Sequence, residues 1–164
     1  MPKILREFFA PRISRAFLVR VTILAAATFA AGRWAIRPMV VQGASMEPTY
    51  SSRGFNFGNL LAYRNHPPRR GDVVLLRYGG ERWYLLKRVI AFAGETVEFI
   101  NGVCLVDGQA LDEPYVKLNA GWTVPPRKVA PNHVYVMGDN RSVPFESHVG
   151  GEIAVSRIAG RPLW

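Results

Sequence analysis

The sequence is that of a mainly β protein, an antiparallel barrel or sandwich, set behind one membrane-spanning helix near the amino terminus. Three observations lead there. From residue 37 onward, short runs of Val, Ile, Leu and aromatic residues alternate with Gly, Asn, Asp and Pro, the spacing of antiparallel strands and their turns. Ahead of them, the run Val21–Gly32 carries no charge. Basic residues crowd the first turns of the chain: Lys3, Arg6, Arg12, Arg15 and Arg20, against Glu7 alone.

The uncharged run is shorter than the ~20 apolar residues that cross a bilayer. Extending it to 16–36 gives the needed length, with Arg20 and Arg33 near the ends, where long side chains reach the headgroups. A retained anchor, a cleaved signal peptide and a surface or core helix all fit such a segment. Against cleavage, a cut after Ala31 would place bulky Phe29 where a small residue is wanted. The organisation expected is a basic cytoplasmic segment over 1–15, an anchor over 16–36 and a β-rich domain over 37–164. Basic residues ahead of the anchor place the amino terminus in the cytoplasm and the β-rich domain outside.

The elements follow in order. Pro38 and the Val40-Val41 pair end the helix near Ile36 and begin an extended segment. "GDVVLLRY", "RWYLLKRVIAF" and "ETVEFI" are strands, and "HVYVMGDN" is a strand ending in a turn. Asn101-Gly102 and Asp107-Gly108 are hairpin turns on either side of one short strand. "NHPPRRG" and "WTVPPRKVAPN" read as proline-rich connections.

Bulk properties narrow the chemistry. The 164 residues suffice for one domain with a modest core, and 49% hydrophobic against 20% charged residues describes a folded chain. A net charge of +9 suits an anionic partner, nucleic acid or a lipid surface. Its concentration ahead of the apolar run favours lipid. The lone Cys104 leaves no intramolecular disulfide and no thiolate metal cluster. His66, His133 and His148 lack metal-ligand spacing, and there is no phosphate-binding or dinucleotide fingerprint. Neither a metal nor a cofactor is expected.

Three clusters could carry chemistry. "QGASMEPTY" begins like a nucleophile elbow at Ser45, but Glu47 stands where the closing glycine belongs. A serine nucleophile here would need a base other than an obvious histidine. In "RWYLLKRVIAF", strand alternation puts Lys87 among apolar neighbours whichever face is the core. A buried lysine loses proton affinity, and a neutral amine can take the proton of a serine hydroxyl. A lysine snorkelling from a strand edge fits the same pattern. "VMGDNRS" supplies Asp139, Asn140 and Arg141 for an ion pair or simply for a hydrogen-bonded turn. Asp72 in "RRGDVV" can hold a turn through its backbone.

Together, "GASMEPTY", "RRGDVV", "LLKRVIAFAGE" and "MGDNRSVPFES", in that order, resemble the bacterial type I signal peptidase family. "INGVCLVDGQALDEPYV" is similar to a hairpin of its bacterial branch, and the resemblance spans roughly residues 36–160. It implies a membrane-anchored serine endopeptidase of the inner membrane that cleaves signal peptides from secreted preproteins. Ser45 would be the nucleophile and Lys87 the general base. The Ser45 N–H, with that of Gly43, would form the oxyanion hole, Met46 would border the substrate pocket, and Arg88 and Asp139 would brace the site. Arg141, Glu146 and Ser147 would give further support. Preproteins and membrane lipids would be the partners, with association to the secretion translocon. Two departures stand out. Pro144 occupies the place of the serine that orients the lysine in the family, so Ser142, Ser147 or a backbone carbonyl would take that task. Glu146 and His148 replace an Asp and an Arg and could keep an acid–base pairing in a pH-sensitive form.

The site must lie close to the membrane, since the nine residues from Ile36 to Ser45 span at most ~30 Å. Phe55, Phe57, Leu60 and Leu61 are then either a membrane-resting lip or core. Rival readings are a specialised maturation peptidase of the same family, a weakened paralogue, a self-cleaving repressor-type protease and a non-enzymatic basic β-barrel that binds nucleic acid. The repressor type would need a DNA-binding domain that the first 35 residues do not supply. The barrel would need its arginines and aromatics along one groove.

Overall fold

The computed structural model describes residues 14–78 and 83–164, so Lys3, Arg6 and Arg12 lie outside the described residues. The chain divides into two units after Ile36.

The first unit is helix α1, Arg15–Ala35. Ser14 caps it, its hydroxyl accepting from the Phe17 N–H at 3.1 Å. Arg33 sits in the last turn, where a cation suits the helix dipole. The helix ends where Ile36 turns extended, two residues ahead of Pro38. Its apolar side chains face outward all round: Leu24 is 67% exposed, Phe29 72% and Trp34 83%. A helix apolar on every face needs an apolar surrounding, and these 21 residues are long and apolar enough to cross a bilayer.

The second unit holds two antiparallel sheets. The larger orders its strands β1 (Ile36–Val40), β2 (Phe55–Asn59), β11 (Ile158–Pro162), β3 (Val73–Tyr78), β4 (Trp83–Phe92), β9 (His133–Met137) and β10 (Gly151–Ala154). The smaller orders β7 (Gln109–Ala110), β6 (Val103–Val106), β5 (Thr96–Ile100) and β8 (Val124–Lys128). Both are open, so of the barrel and sandwich expected from sequence a closed barrel is not what forms. Ile90, Tyr135 and Met137 of the larger sheet meet Val97, Phe99, Cys104 and Trp122 in one core. A second core packs Val74, Val89, Val134 and Val136, and a third packs Leu75 and Leu86 against Val41 and Met46. β3 thus buries both faces, which is why it reads as an unbroken apolar run rather than an alternating one.

The turns behave as their residues require. Asn101, Gly102, Asp107 and Gly108 all take positive φ, the backbone of the tight hairpins that bound β6. Pro125 and Pro126, read as connection, lie instead in β8, which pairs with β5 alone. An edge strand tolerates the missing N–H groups. β4 pairs with β3 from Trp83 to Arg88 and with β9 from Arg88 to Phe92, with a bulge between Val89 and Ala91. The Trp83–Lys87 half of β4 therefore has one strand neighbour.

Candidate active site

Ser45 sits in the turn that follows β1, and Lys87 is in the middle of β4. Two contacts from the end of β9 fix the serine turn. The Asn140 N–H donates to the Ser45 carbonyl at 3.0 Å, and Asn140 Nδ2 donates to the Ala44 carbonyl at 3.0 Å. Gly138 makes this approach possible, because a Cβ there would overlap the Ser45 carbonyl oxygen. Gly43 is needed for another reason: its φ of +87° favours glycine, while the space around it is open.

Within this frame Lys87 Nζ donates to Ser45 Oγ at 2.8 Å. Lys87 is 2% exposed. Burial lowers its pKa from 10.5 to about 8, and the Asp139 carboxylate opposes the shift. The carboxylate is itself matched. Arg88 grips Asp139 with two hydrogen bonds, Nε to Oδ1 at 2.8 Å and Nη2 to Oδ2 at 2.6 Å, and Thr49 Oγ1 adds a third at 2.6 Å. Arg88 also donates to the Gly71 carbonyl at 2.6 Å and stacks 3.9 Å over the Tyr115 ring. Burial weakens the guanidinium charge, but the hydrogen bonds and charge of Asp139 outweigh it and raise the Arg88 pKa. A neutralised carboxylate is why a lysine beside an acid still gives up its proton readily.

Arg141 points away from the dyad. It is buried and pairs with Glu113, Nη2 to Oε1 at 2.5 Å, while its Nε donates to the Gly138 carbonyl at 2.8 Å. Met46 is buried and borders a cleft with Gln42, Gly43, Ser45, Tyr84 and Leu86. Three sequence expectations meet a different arrangement. Ser142 donates to Asn140 Oδ1 at 2.6 Å and so is not the hydroxyl that orients the lysine. Glu146 and Ser147 are exposed in a 3-10 turn, Phe145–Ser147, and their side chains make no hydrogen bond or ion pair among the described residues. The Glu146–His148 pairing is therefore absent. The 3-10 turn carries Glu146 outward into solvent, while His148 packs edge-on against Trp122, ring centroids 4.8 Å apart.

Thr49, Glu113 and Tyr115 are contacts the sequence reading did not single out. Thr49 stands four residues from Ser45 inside the same block, so its place near the site was in view. Glu113 and Tyr115 lie in the loop after β7, and nothing local ties that loop to Arg88 or Arg141. Among the described residues no group of His, Cys, Asp and Glu is arranged to hold a metal ion.

Compared with known proteins, the chain falls among the peptidases: one family model matches residues 14–164, and its description is signal peptidase, peptidase S26. The chain belongs to this signal peptidase family. It is 35% identical over 135 residues to a probable signal peptidase I-1 of Synechocystis, covering 77% of this chain and 69% of the relative. It is also 35% identical over 134 residues to a signal peptidase I of Bacillus amyloliquefaciens, covering 75% of this chain and 71% of that one. A solved signal peptidase I from Enterococcus faecalis superposes with a TM-score of 0.47 at 22% identity, over 57% of this chain and 95% of that one.

Proposed function

We propose that this chain is a membrane-anchored endopeptidase that removes signal peptides from secreted preproteins, with Ser45 as nucleophile and Lys87 as general base. The observation that carries the reading is the 2.8 Å contact between Ser45 Oγ and the buried Lys87 Nζ. In the neutral amine the direction of that bond reverses, and the serine hydroxyl donates to the nitrogen lone pair. Ser45 Oγ then attacks the scissile carbonyl as its proton passes to Nζ. The N–H groups of Ser45 and Gly43 receive the oxyanion. Lys87 returns the proton to the leaving amine, and the acyl-enzyme is released by a water that Lys87 deprotonates in turn.

The preprotein binds as an extended strand along the open side of Tyr84–Leu86, where main-chain groups of β4 lack a second strand neighbour. The cleft walled by Met46, Tyr84 and Leu86 takes its side chains. Helix α1 anchors the chain in the inner membrane, with residues 1–15 in the cytoplasm and the catalytic domain, 37–164, on the outer face. Lipid and the secretion translocon are its other neighbours. Purified full-length protein in detergent, offered a preprotein, should cleave it, while Ser45→Ala and Lys87→Met should not although both fold. Full activity in Lys87→Met would overturn the assignment of the base.

A further inference from the structure

Lys87 has only Ser45 Oγ as a hydrogen-bond partner among the described residues, although an amine offers at least two N–H groups. A general base held by its substrate-side partner alone is free to swing. The serine that would steady it by family resemblance is Pro144, Ser142 is committed to Asn140, and Ser147 is exposed. Beside the serine turn stands His148. Its ring packs against Gly138, 3.2 Å from where a Cβ on that residue would lie, and Gly138 is the residue laid against the Ser45 carbonyl. Trp122 holds the ring edge-on. Both ring nitrogens are buried without a well-formed hydrogen bond; the backbone of Asn140 and Val143 approaches them but at poor geometry. A buried amine and a buried imidazole, each short of a partner, sit on neighbouring sides of one serine turn.

We propose that His148 is a positioning residue for Lys87, its neutral imidazole accepting from a single water that the lysine amine donates to, so that the amine lone pair stays aimed at Ser45 Oγ. The inference rests on the Ser45–Lys87 reading above. The charged groups that face His148 are Lys87 from β4 and Arg141 from the segment after β9, while Arg127, Glu146 and Glu152 line the same groove. Burial, with Lys87 and Arg141 behind it, lowers the His148 pKa to about 4, so the ring is an acceptor wherever Lys87 is neutral.

Two measurements on the full-length protein in detergent test this. His148→Phe keeps an aromatic ring against Trp122 and removes both nitrogens. Its kcat should fall on the order of tenfold to a hundredfold with KM little changed, as expected for a misaimed base. The acidic limb of its pH–rate profile should move to lower pH, because Lys87 loses an acceptor and gains apolar cover. His148→Asn, which restores an acceptor oxygen, should recover part of both. A His148→Phe variant with wild-type kcat and an unmoved limb would overturn the proposal. The second measurement needs no activity. In protein labelled with ¹⁵N-histidine, the His148 ring signal should move toward that of an unbonded nitrogen in Lys87→Met; an unchanged signal overturns the proposal even where His148→Phe does not fold. A wild type that cleaves no preprotein counts against the peptidase reading, and the ring signal still decides this one.

Discussion

Burying Lys87 carries a cost, and that cost is measurable. Its folded pKa is about 8 against 10.5 for the free side chain. Below pH 8 the lysine is protonated in both states, and burying the charge opposes folding in full. Between pH 8 and 10.5 the unfolded chain binds more protons, so this penalty fades as pH rises. Lys87→Met should therefore be inactive yet more stable near neutrality, by about 1–3 kcal/mol, and the gain should shrink toward pH 10.5. Thermal melts of both proteins at pH 7 and pH 10 check this; a destabilised Lys87→Met at pH 7 would refute it. With Lys87 as the proposed base, the same pKa should set the rate. Cleavage should climb tenfold per pH unit below 8 and level off above it, since only the neutral amine accepts the serine proton. A rate that peaks below neutrality would contradict a lysine base. Gly138→Ala should cost activity without replacing either dyad residue. The new methyl must displace the Ser45 backbone, and a shift of about 1 Å costs on the order of a hundredfold. Unchanged turnover in a folded Gly138→Ala protein would show that the serine turn can yield.

Between elements, the telling contact is Arg141 with Glu113, which ties the loop after β7 to the loop after β9. Side-chain exposures of 1% and 8% mean that neither charge has water to fall back on. Removing one partner strands the other, at about 3–5 kcal/mol. Glu113→Ala should lower the unfolding free energy measured by chemical denaturation by that amount, and Glu113→Leu combined with Arg141→Met should recover part of it. A double variant as unstable as the single one would mean that packing, not charge, dominates there. This tie was not legible in the sequence, and the reason is general. Strands announce themselves through local pattern: β3, β4, β5 and β9 alternate or run apolar between turn residues, and Asn-Gly and Asp-Gly mark the hairpins around β6. The serine and lysine blocks were likewise legible as family text. β2, β10 and β11 are short and carry glycine or proline, so their pairing is decided by partners far along the chain. β8 was hidden by its prolines. The course of the chain after Arg141 was hidden for the same reason: Glu146, Ser147 and Pro144 were read from their places in a motif, and only the fold shows that the turn carries Glu146 and Ser147 outward and sets His148 against Trp122.

For the molecule as a whole, the decisive property is where it resides. Helix α1 shows apolar side chains in every direction, and a helix of 21 residues is about 30 Å long, the thickness of a bilayer core. The second unit adds exposed apolar surface of its own. Phe55 is 57% exposed and Trp164 63%, and both make edge-to-face contacts with Phe57. Leu61 is exposed as well, whereas Leu60 packs into the core beside Met46. The four residues weighed together in the sequence thus divide between surface and interior. The orientation proposed above rests on charge: Arg15 and Arg20 flank one end of the apolar run with Lys3, Arg6 and Arg12 before them, against Arg33 and Arg37 near the other. Basic residues stay on the cytoplasmic side. In cells, the protein should remain with membranes after alkaline carbonate extraction. Protease added to intact spheroplasts should digest the catalytic unit, while an epitope fused at the amino terminus survives until the membrane is opened. Replacing Arg15 and Arg20 by Glu should weaken that bias and protect a fraction of the catalytic units. Release by carbonate would refute the anchor; an amino-terminal epitope lost from intact spheroplasts would refute the orientation and leave the anchor standing.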